Sequence, residues 1–196
     1  MVVLDMEGVL VPEIWIAVAE RTGVDALRRT TRDEPDYDAL MRYRLDLLGE
    51  HGLTMSLIAE VIAGIDPLPG AAGFLNELRA RRPVVILSDT FEQFACALAP
   101  KLGHPVILCH RLLVDEASDR ITGYSLRMPD QKRAAVDAFR SLGYRVLAAG
   151  DSYNDTSMLL AADSGYLFHA PPNVVAEFPQ LEAVDDFDAM LERLLA

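Results

Sequence analysis

Cysteine, basic residues and long apolar runs are all scarce in this chain. Cys96 and Cys109 are the only cysteines among 196 residues, and they form neither a CxxC pair nor a cluster with histidine at metal-ligand spacing. That argues against a disulfide framework and a zinc site, and the two thiols read as reduced, core or half-buried groups of a cytoplasmic protein. Lys and Arg total 18 against 30 Asp and Glu, a net charge of −12. A field of that sign repels nucleic acid and anionic membranes, so neither is expected as a partner. An anionic small substrate would need local cations to capture it. No apolar run approaches the roughly 20 residues of a membrane-spanning helix. The first residues carry no basic segment or cleavage site and read as a working strand rather than a signal peptide. Internal repeats and low-complexity tracts are also missing.

Hydrophobic residues make up 51% of the chain, enough for a substantial core. Several apolar runs stop abruptly at polar residues. "MVVL" stops at Asp5, "PVVIL" (83–87) at Ser88, and "RVLAAG" (145–150) at Asp151. "GYLFHA" (165–170) is strand-like as well. Helical patterns lie between them at 70–81, 91–102, 129–142, 153–162 and 185–195. Strands alternating with helices predict an α/β fold, a parallel sheet covered on both faces. Ligands bind such sheets beyond the carboxyl ends of the strands. Two segments break the alternation. Residues 13–68 hold no good strand and predict helices at 13–22, 36–49 and 54–63, closed by the turn-rich "DPLPG" (66–70). A helical cap over 13–68, inserted into a core of 1–12 and 69–196, is the expected organisation. Residues 106–127 predict a small β-hairpin.

Carboxylates gather at the strand ends. Asp5 and Glu7 lie two apart, so on extended backbone they share one side. Asp151 and Asp155 follow in "GDSYNDTSM" (150–158). Each alone reads as a turn cap or a helix-dipole complement. Four carboxylates at one crevice would repel unless something positive sits among them. An all-oxygen set that leaves room for water and phosphate suits Mg²⁺. Ser88 offers a hydroxyl, and Lys132 a mobile cation near a helix start, where the dipole disfavours it.

The ordered set Asp5-x-Glu7, Ser88, Lys132 and "GDSYND" resembles the four motifs of the haloacid dehalogenase superfamily of phosphatases, across the whole chain. More narrowly, "DMEGVLVPEIW", "LSDTF", "CHRL" and "AAGDSYNDTSML" resemble the ThrH-type phosphoserine phosphatases, a group also described as phosphotransferases to homoserine. The resemblance implies a Rossmann-like core and an inserted helical cap. It implies Asp5 as nucleophile, becoming an aspartyl phosphate, and Glu7 as acid and base. Ser88 and Lys132 would hold the phosphoryl oxygens. Mg²⁺ would sit among Asp5, the Glu7 carbonyl and Asp151, with Asp155 beside it. Asp89, Thr90 and Asn154 fall in the substrate-binding motifs, Asn154 as a residue orienting Asp5 or the phosphate. Two departures stand out. Glu7 replaces the usual Asp, which leaves open whether water or an alcohol accepts the phosphoryl group. Gly8 replaces Ser or Thr. The short first strand reads either as preceded by further residues or as a weak edge.

The cap suggests the substrate. In "YDALMRYRLDLL" (37–48), Tyr37, Leu40, Met41, Leu47 and Leu48 share one helical arc, with Arg44 near its middle. A guanidinium on an apolar stripe needs an anionic partner or a path to solvent. The resemblance assigns Arg44 to a substrate carboxylate and Glu13 to a substrate ammonium, otherwise a helix-dipole residue. Phosphate, carboxylate and ammonium together describe L-phosphoserine. His51, His104, His110 and His169 read as surface or packing residues, and Trp15 as cap core. Two other readings remain: a phosphatase of another small phosphomonoester, and a phospho-accepting signalling module. Such modules are shorter and lack both the acid at position 7 and the lid. A homodimer is kept as a candidate assembly.

Overall fold

A computed structural model of the chain describes residues 1–30, 33–34 and 36–196. Seven strands form one sheet: β1 Val2–Leu4, β2 Val84–Phe91, β3 Val106–Asp115, β4 Arg120–Ser125, β5 Leu147–Gly150, β6 Ser164–Phe168 and β7 Glu182–Val184. Their spatial order is β4-β3-β2-β1-β5-β6-β7. Every pair is parallel except the antiparallel β3–β4. Nine α-helices are seen among the described residues: α1 Ile14–Thr22, α2 Tyr37–Glu50, α3 Met55–Ala63, α4 Ala71–Arg79, α5 Glu92–Leu98, α6 Gln131–Ser141, α7 Thr156–Ala161, α8 Pro172–Glu177 and α9 Phe187–Leu195. None is long and apolar enough to cross a membrane.

Alternation along the strands builds two apolar layers. Val2 and Leu4 of β1, Ile86 of β2 and Ala149 of β5 face one layer, with Phe74, Leu75, Phe94, Met190 and Leu194 from α4, α5 and α9. Val3, Leu87 and Ala148 face the other, with Val136 of α6 and Met158 and Leu159 of α7. Val2, Val3 and Leu4 are all fully buried. β1 is therefore a central strand, not the weak edge its three residues suggested. Its neighbours β2 and β5 lie on opposite sides, and the chain winds outward both ways from it. That makes the carboxyl ends of β2, β1 and β5 the switch point of the sheet.

Other differences from the sequence reading have local causes. β2 runs on past residue 87 to Phe91, because Phe91 still pairs with His110 across a register shift. The predicted helix 91–102 ends at Leu98, and a 3₁₀ turn carries Pro100. The hairpin is not separate from the sheet: β3 pairs in parallel with β2, and β4 forms the edge. β7 and α8 were not anticipated. Three residues, two of them exposed, give β7 no apolar run to recognise. Cys109 is buried as expected, but Cys96 is exposed.

The inserted helices rest on the core's own apolar layer. Ile14, Trp15, Val18, Ile58 and Ile62 pack in the same cluster as Phe91, Phe94 and Leu98. Trp15 meets Phe94 edge-on at 5.6 Å between ring centroids, and Phe94 meets Phe91 at the same distance. The hairpin adds polar ties. The Met55 and Ser56 N–H groups at the start of α3 donate to Asp119, and the Tyr124 hydroxyl donates to Asp38 of α2. Phe94 is thus the side chain that joins insertion to core. Phe94→Ala should cost about 3–5 kcal/mol in urea unfolding. A loss below about 1 kcal/mol would show that the two do not share a core.

Candidate active site

Three strand ends and one helix start converge at the switch point. Asp5 follows β1, its N–H bonded to the Ala149 carbonyl at 2.9 Å. Ser88, Asp89 and Thr90 occupy the end of β2. Asp151 follows β5, and a 3₁₀ turn over Tyr153–Asp155 brings Asp155 back beneath it. Asp155 caps this turn, its Oδ2 accepting from the N–H groups of Asp151 (3.0 Å) and Ser152 (3.2 Å). This is the turn cap that the sequence suggested for Asp155, yet its other oxygen has a second task.

That task is to hold Lys132. Its Nζ donates to Asp155 Oδ1 at 2.7 Å and Asp5 Oδ1 at 2.9 Å, and lies 3.6 Å from Asp89 Oδ2. The side chain is 2% exposed, so the expected mobile cation is a fixed one. Asp130, just before α6, takes φ +45°, a left-handed turn that Asp tolerates, and this delivers Gln131 and Lys132 into the crevice. Burial opposes the Lys132 charge, but Asp155, Asp5 and Asp89 together raise its pKa well above the ordinary lysine value. Asp5 is pushed well above the usual carboxylate range by burial and then by Asp155, with Lys132 opposing and Asp151 adding.

Asp5, Asp151 and Asp155 each offer an oxygen, all within 4.8 Å of one another. An all-carboxylate set whose members still repel after Lys132 is placed suits a hard, oxygen-seeking cation. These residues can therefore hold a metal ion. Two glycines make the packing possible. Gly8 has φ +77°, and a Cβ there would overlap the Asp151 carboxylate. A Cβ on Gly150 would overlap that of Asp155. The Gly8 departure noted in the sequence is thus a steric requirement of Asp151.

Glu7 turns away from this cluster. Its Oε2 accepts from the Ile14 N–H at 2.8 Å, at the start of α1. Burial and then Glu13 push its carboxyl up to about 7, against the pull of that N–H, Arg44 and Lys132. Glu7, Glu13 and Arg44 line one cavity of about 640 Å³, open mouth included. Arg44 lies over the Trp15 ring, 4.6 Å from its centroid, and its Nη2 donates to the Arg29 carbonyl at 2.9 Å. Its buried Nε has no hydrogen-bond partner among the described residues. Burial lowers the Arg44 pKa to about 10 despite Glu7, Tyr37 and Glu13. Ser88 and Thr90 line the same cavity, and the Ser88 Oγ accepts from the Thr90 N–H at 3.3 Å.

Every candidate site residue read from the sequence therefore lines this cavity except Asp155, which lies buried beneath it. One of the two roles expected of Asn154 is removed, and one of the four histidines stands apart. Asn154 does not bond Asp5: its Nδ2 donates to Asp89 Oδ2 at 3.0 Å. His110 is buried, 3.5 Å from Asp89 Oδ1, while the other three histidines are not. Two neighbours were missed. Gln131 donates to the Ser88 carbonyl and Asp89 Oδ1, and the Tyr37 hydroxyl donates to the Asp89 carbonyl at 3.2 Å. Adjacency to Lys132 was the available signal for Gln131. Tyr37 was read only as part of an apolar stripe.

The fold and crevice define an enzyme whose site lies at the switch point of a parallel sheet. More particularly, the chain belongs to the haloacid dehalogenase-like hydrolase family, whose model matches residues 1–163. It is 59% identical over 192 residues to phosphoserine phosphatase ThrH of Pseudomonas aeruginosa, covering 98% of this chain and 93% of that one. A phosphoserine phosphatase of Pseudomonas syringae pathovar tomato is 58% identical over 192 residues, covering 98% and 81%. Among solved structures, a phospho-aspartyl intermediate analogue of phosphoserine phosphatase superposes with a TM-score of 0.79 at 21% identity, covering 98% and 97%. At that identity it speaks for the fold alone.

Lys132→Met would leave Asp5 and Asp155 buried without their cation. In chelator-treated protein at about pH 7.5, urea unfolding should report a loss of about 3–5 kcal/mol. Asp5, already raised by burial, would then bind its proton still more tightly folded than unfolded, so the loss should shrink as the pH falls toward about 5. A loss that grows on acidification would contradict the charge account.

Proposed function

We propose that the protein hydrolyses L-phosphoserine to serine and phosphate through an aspartyl phosphate on Asp5. The observation that carries this reading is one cavity that brings together Asp5, Ser88 and Lys132 with Glu13 and the incompletely bonded guanidinium of Arg44. High identity to two curated phosphoserine phosphatases supports the same substrate.

In the proposed reaction an Asp5 oxygen attacks phosphorus, forming a new P–O bond while the bond to the serine oxygen breaks. Glu7 gives its proton to the leaving oxygen, a role suited to a carboxyl pushed up to about 7. Water then attacks the phosphorus, Glu7 takes its proton, and the Asp5 carboxylate is released. Ser88, Thr90 and Lys132 hold the phosphoryl oxygens, with the fixed Lys132 ammonium facing the charge that develops. Asn154 and Asp89 complete the cavity lining. Arg44 takes the substrate carboxylate and Glu13 the ammonium. Mg²⁺ is the metal we infer, and Asp5, Asp151 and the Glu7 carbonyl would hold it, with Asp155 beside it. When bound it would offset carboxylate repulsion and let an anionic phosphate approach. Residues 13–68 act as a cap over a core of 1–12 and 69–196, shielding the reaction from bulk water. Homoserine as a second acceptor belongs to the proposal, as does a cytoplasmic location.

Phosphate release from L-phosphoserine with Mg²⁺ should fall by about three orders of magnitude or more in Asp5→Asn. An unchanged rate would remove the mechanism. Arg44→Ala should raise the phosphoserine KM by about tenfold to a hundredfold, the worth of a charge-assisted pair. Its effect on a phosphomonoester lacking a carboxylate should be small. An unchanged phosphoserine KM would favour another phosphomonoester, and a stable phosphoprotein without turnover would favour a signalling module. Analysing the products with and without homoserine separates transfer from hydrolysis: no phosphohomoserine would exclude transfer.

A further inference from the structure

Asp89 puts a carboxylate on the wall where a phosphoryl group is proposed to bind, between Ser88 and Thr90. Its side chain is 32% exposed, and an unrestrained anion there would repel a phosphoryl dianion. Its two oxygens meet different neighbours. Oδ2 faces Lys132 and Asn154, both of which line the substrate cavity. Oδ1 faces Gln131 at 3.1 Å and His110 at 3.5 Å, and neither of these lines that cavity. They lie on an adjoining cavity, which Asp89, Lys132 and Asn154 line as well. Burial works against the Asp89 charge, yet Lys132, His110, Asn154 and Gln131 hold its carboxyl well below the usual range.

His110 is the fixed point beside Oδ1. Its Nδ1 accepts from the Arg127 N–H at 3.2 Å, which puts the ring's proton on Nε2, facing Asp89. The rings of Tyr37 and Phe91 flank it, with centroids 6.0 and 6.4 Å away. Gln131 is shared with the Ser88 carbonyl, and Lys132 with Asp5 and Asp155. The His110 Nε2 lies 3.5 Å from Asp89 Oδ1, beside the shorter Gln131 bond to the same oxygen.

Building on the phosphoryl site proposed above, we infer that His110 is a positioning residue: together with Gln131 it holds Asp89 Oδ1, keeping that carboxylate at the edge of the cavity rather than at the phosphoryl position. Asp89 Oδ2 already contacts Lys132 and Asn154. Without the anchor, the carboxylate moves further into the cavity and its competition with phosphate for these two groups grows.

The test is a double-mutant cycle read by calorimetric binding of inorganic phosphate to Mg²⁺-loaded protein. His110→Phe removes the anchor and keeps ring volume. His110→Asn keeps an acceptor for the Arg127 N–H but falls short of Asp89, and it serves if the Phe variant folds poorly. Each should weaken phosphate binding by about tenfold, and the loss should shrink to below about twofold in an Asp89→Asn background. His110→Gln, whose amide reaches Asp89, should restore most of the affinity. An equal loss in both backgrounds, or no loss in the parent, overturns the proposal, because a packing defect is not cured by neutralising Asp89. Inorganic phosphate carries neither serine's carboxylate nor its ammonium. A wrong substrate would therefore appear as absent phosphoserine turnover with the phosphate cycle intact.

Discussion

The Lys132 ammonium, buried between Asp155 and Asp5 with Asp89 close by, is the interaction on which the crevice depends. Removing a charge from water costs several kcal/mol, and a lone lysine would shed its proton instead. Here the carboxylates come from the ends of β1, β2 and β5, so the ammonium is stabilised only when all three strands are in place. The reverse also holds. Asp155 is fully buried and Asp5 nearly so, and neither carboxylate would survive there without a cation. Binding chemistry and sheet assembly are thus linked through one side chain.

Close approach is the second constraint. Carboxylates from neighbouring strands reach one point only because the backbone between them is bare. Gly8 and Gly150 each leave the space that an aspartate fills. The positive φ of Gly8 also turns the chain back after Asp5, so that Glu7 leaves the acidic cluster and meets the N-terminus of α1. Two acids two residues apart in sequence therefore occupy different surroundings. Asp5 sits against an ammonium, and Glu7 sits in a partly apolar pocket beside Glu13. Burial raises the pKa of both, but the neighbours that add to it or oppose it differ.

The insertion completes the site without forming a core of its own. Its apolar face continues the layer beneath α4 and α5, and that burial fixes α1 and α2 over the crevice. Arg44 comes down on Trp15 as a consequence. The indole supports the guanidinium by a cation–π contact, and one carbonyl takes part of its hydrogen bonding. The β3–β4 hairpin, which joins the main sheet rather than standing apart, braces the outer ends of α2 and α3.

The sequence by itself determined the alternating strands and helices, the inserted helices and nearly all the side chains of the crevice. Each of those features is local: an apolar run that stops at an aspartate, a helical stripe interrupted by an arginine. It did not determine that β1 is central, that Lys132 is immobile, or that His110, alone among four histidines, is buried at Asp89. Nor did it determine that Asn154 bonds Asp89, 65 positions away in the chain. These features depend on which distant segments lie side by side. That is settled by strand order and packing across the sheet, where burial, not spacing along the chain, decides which charges must pair.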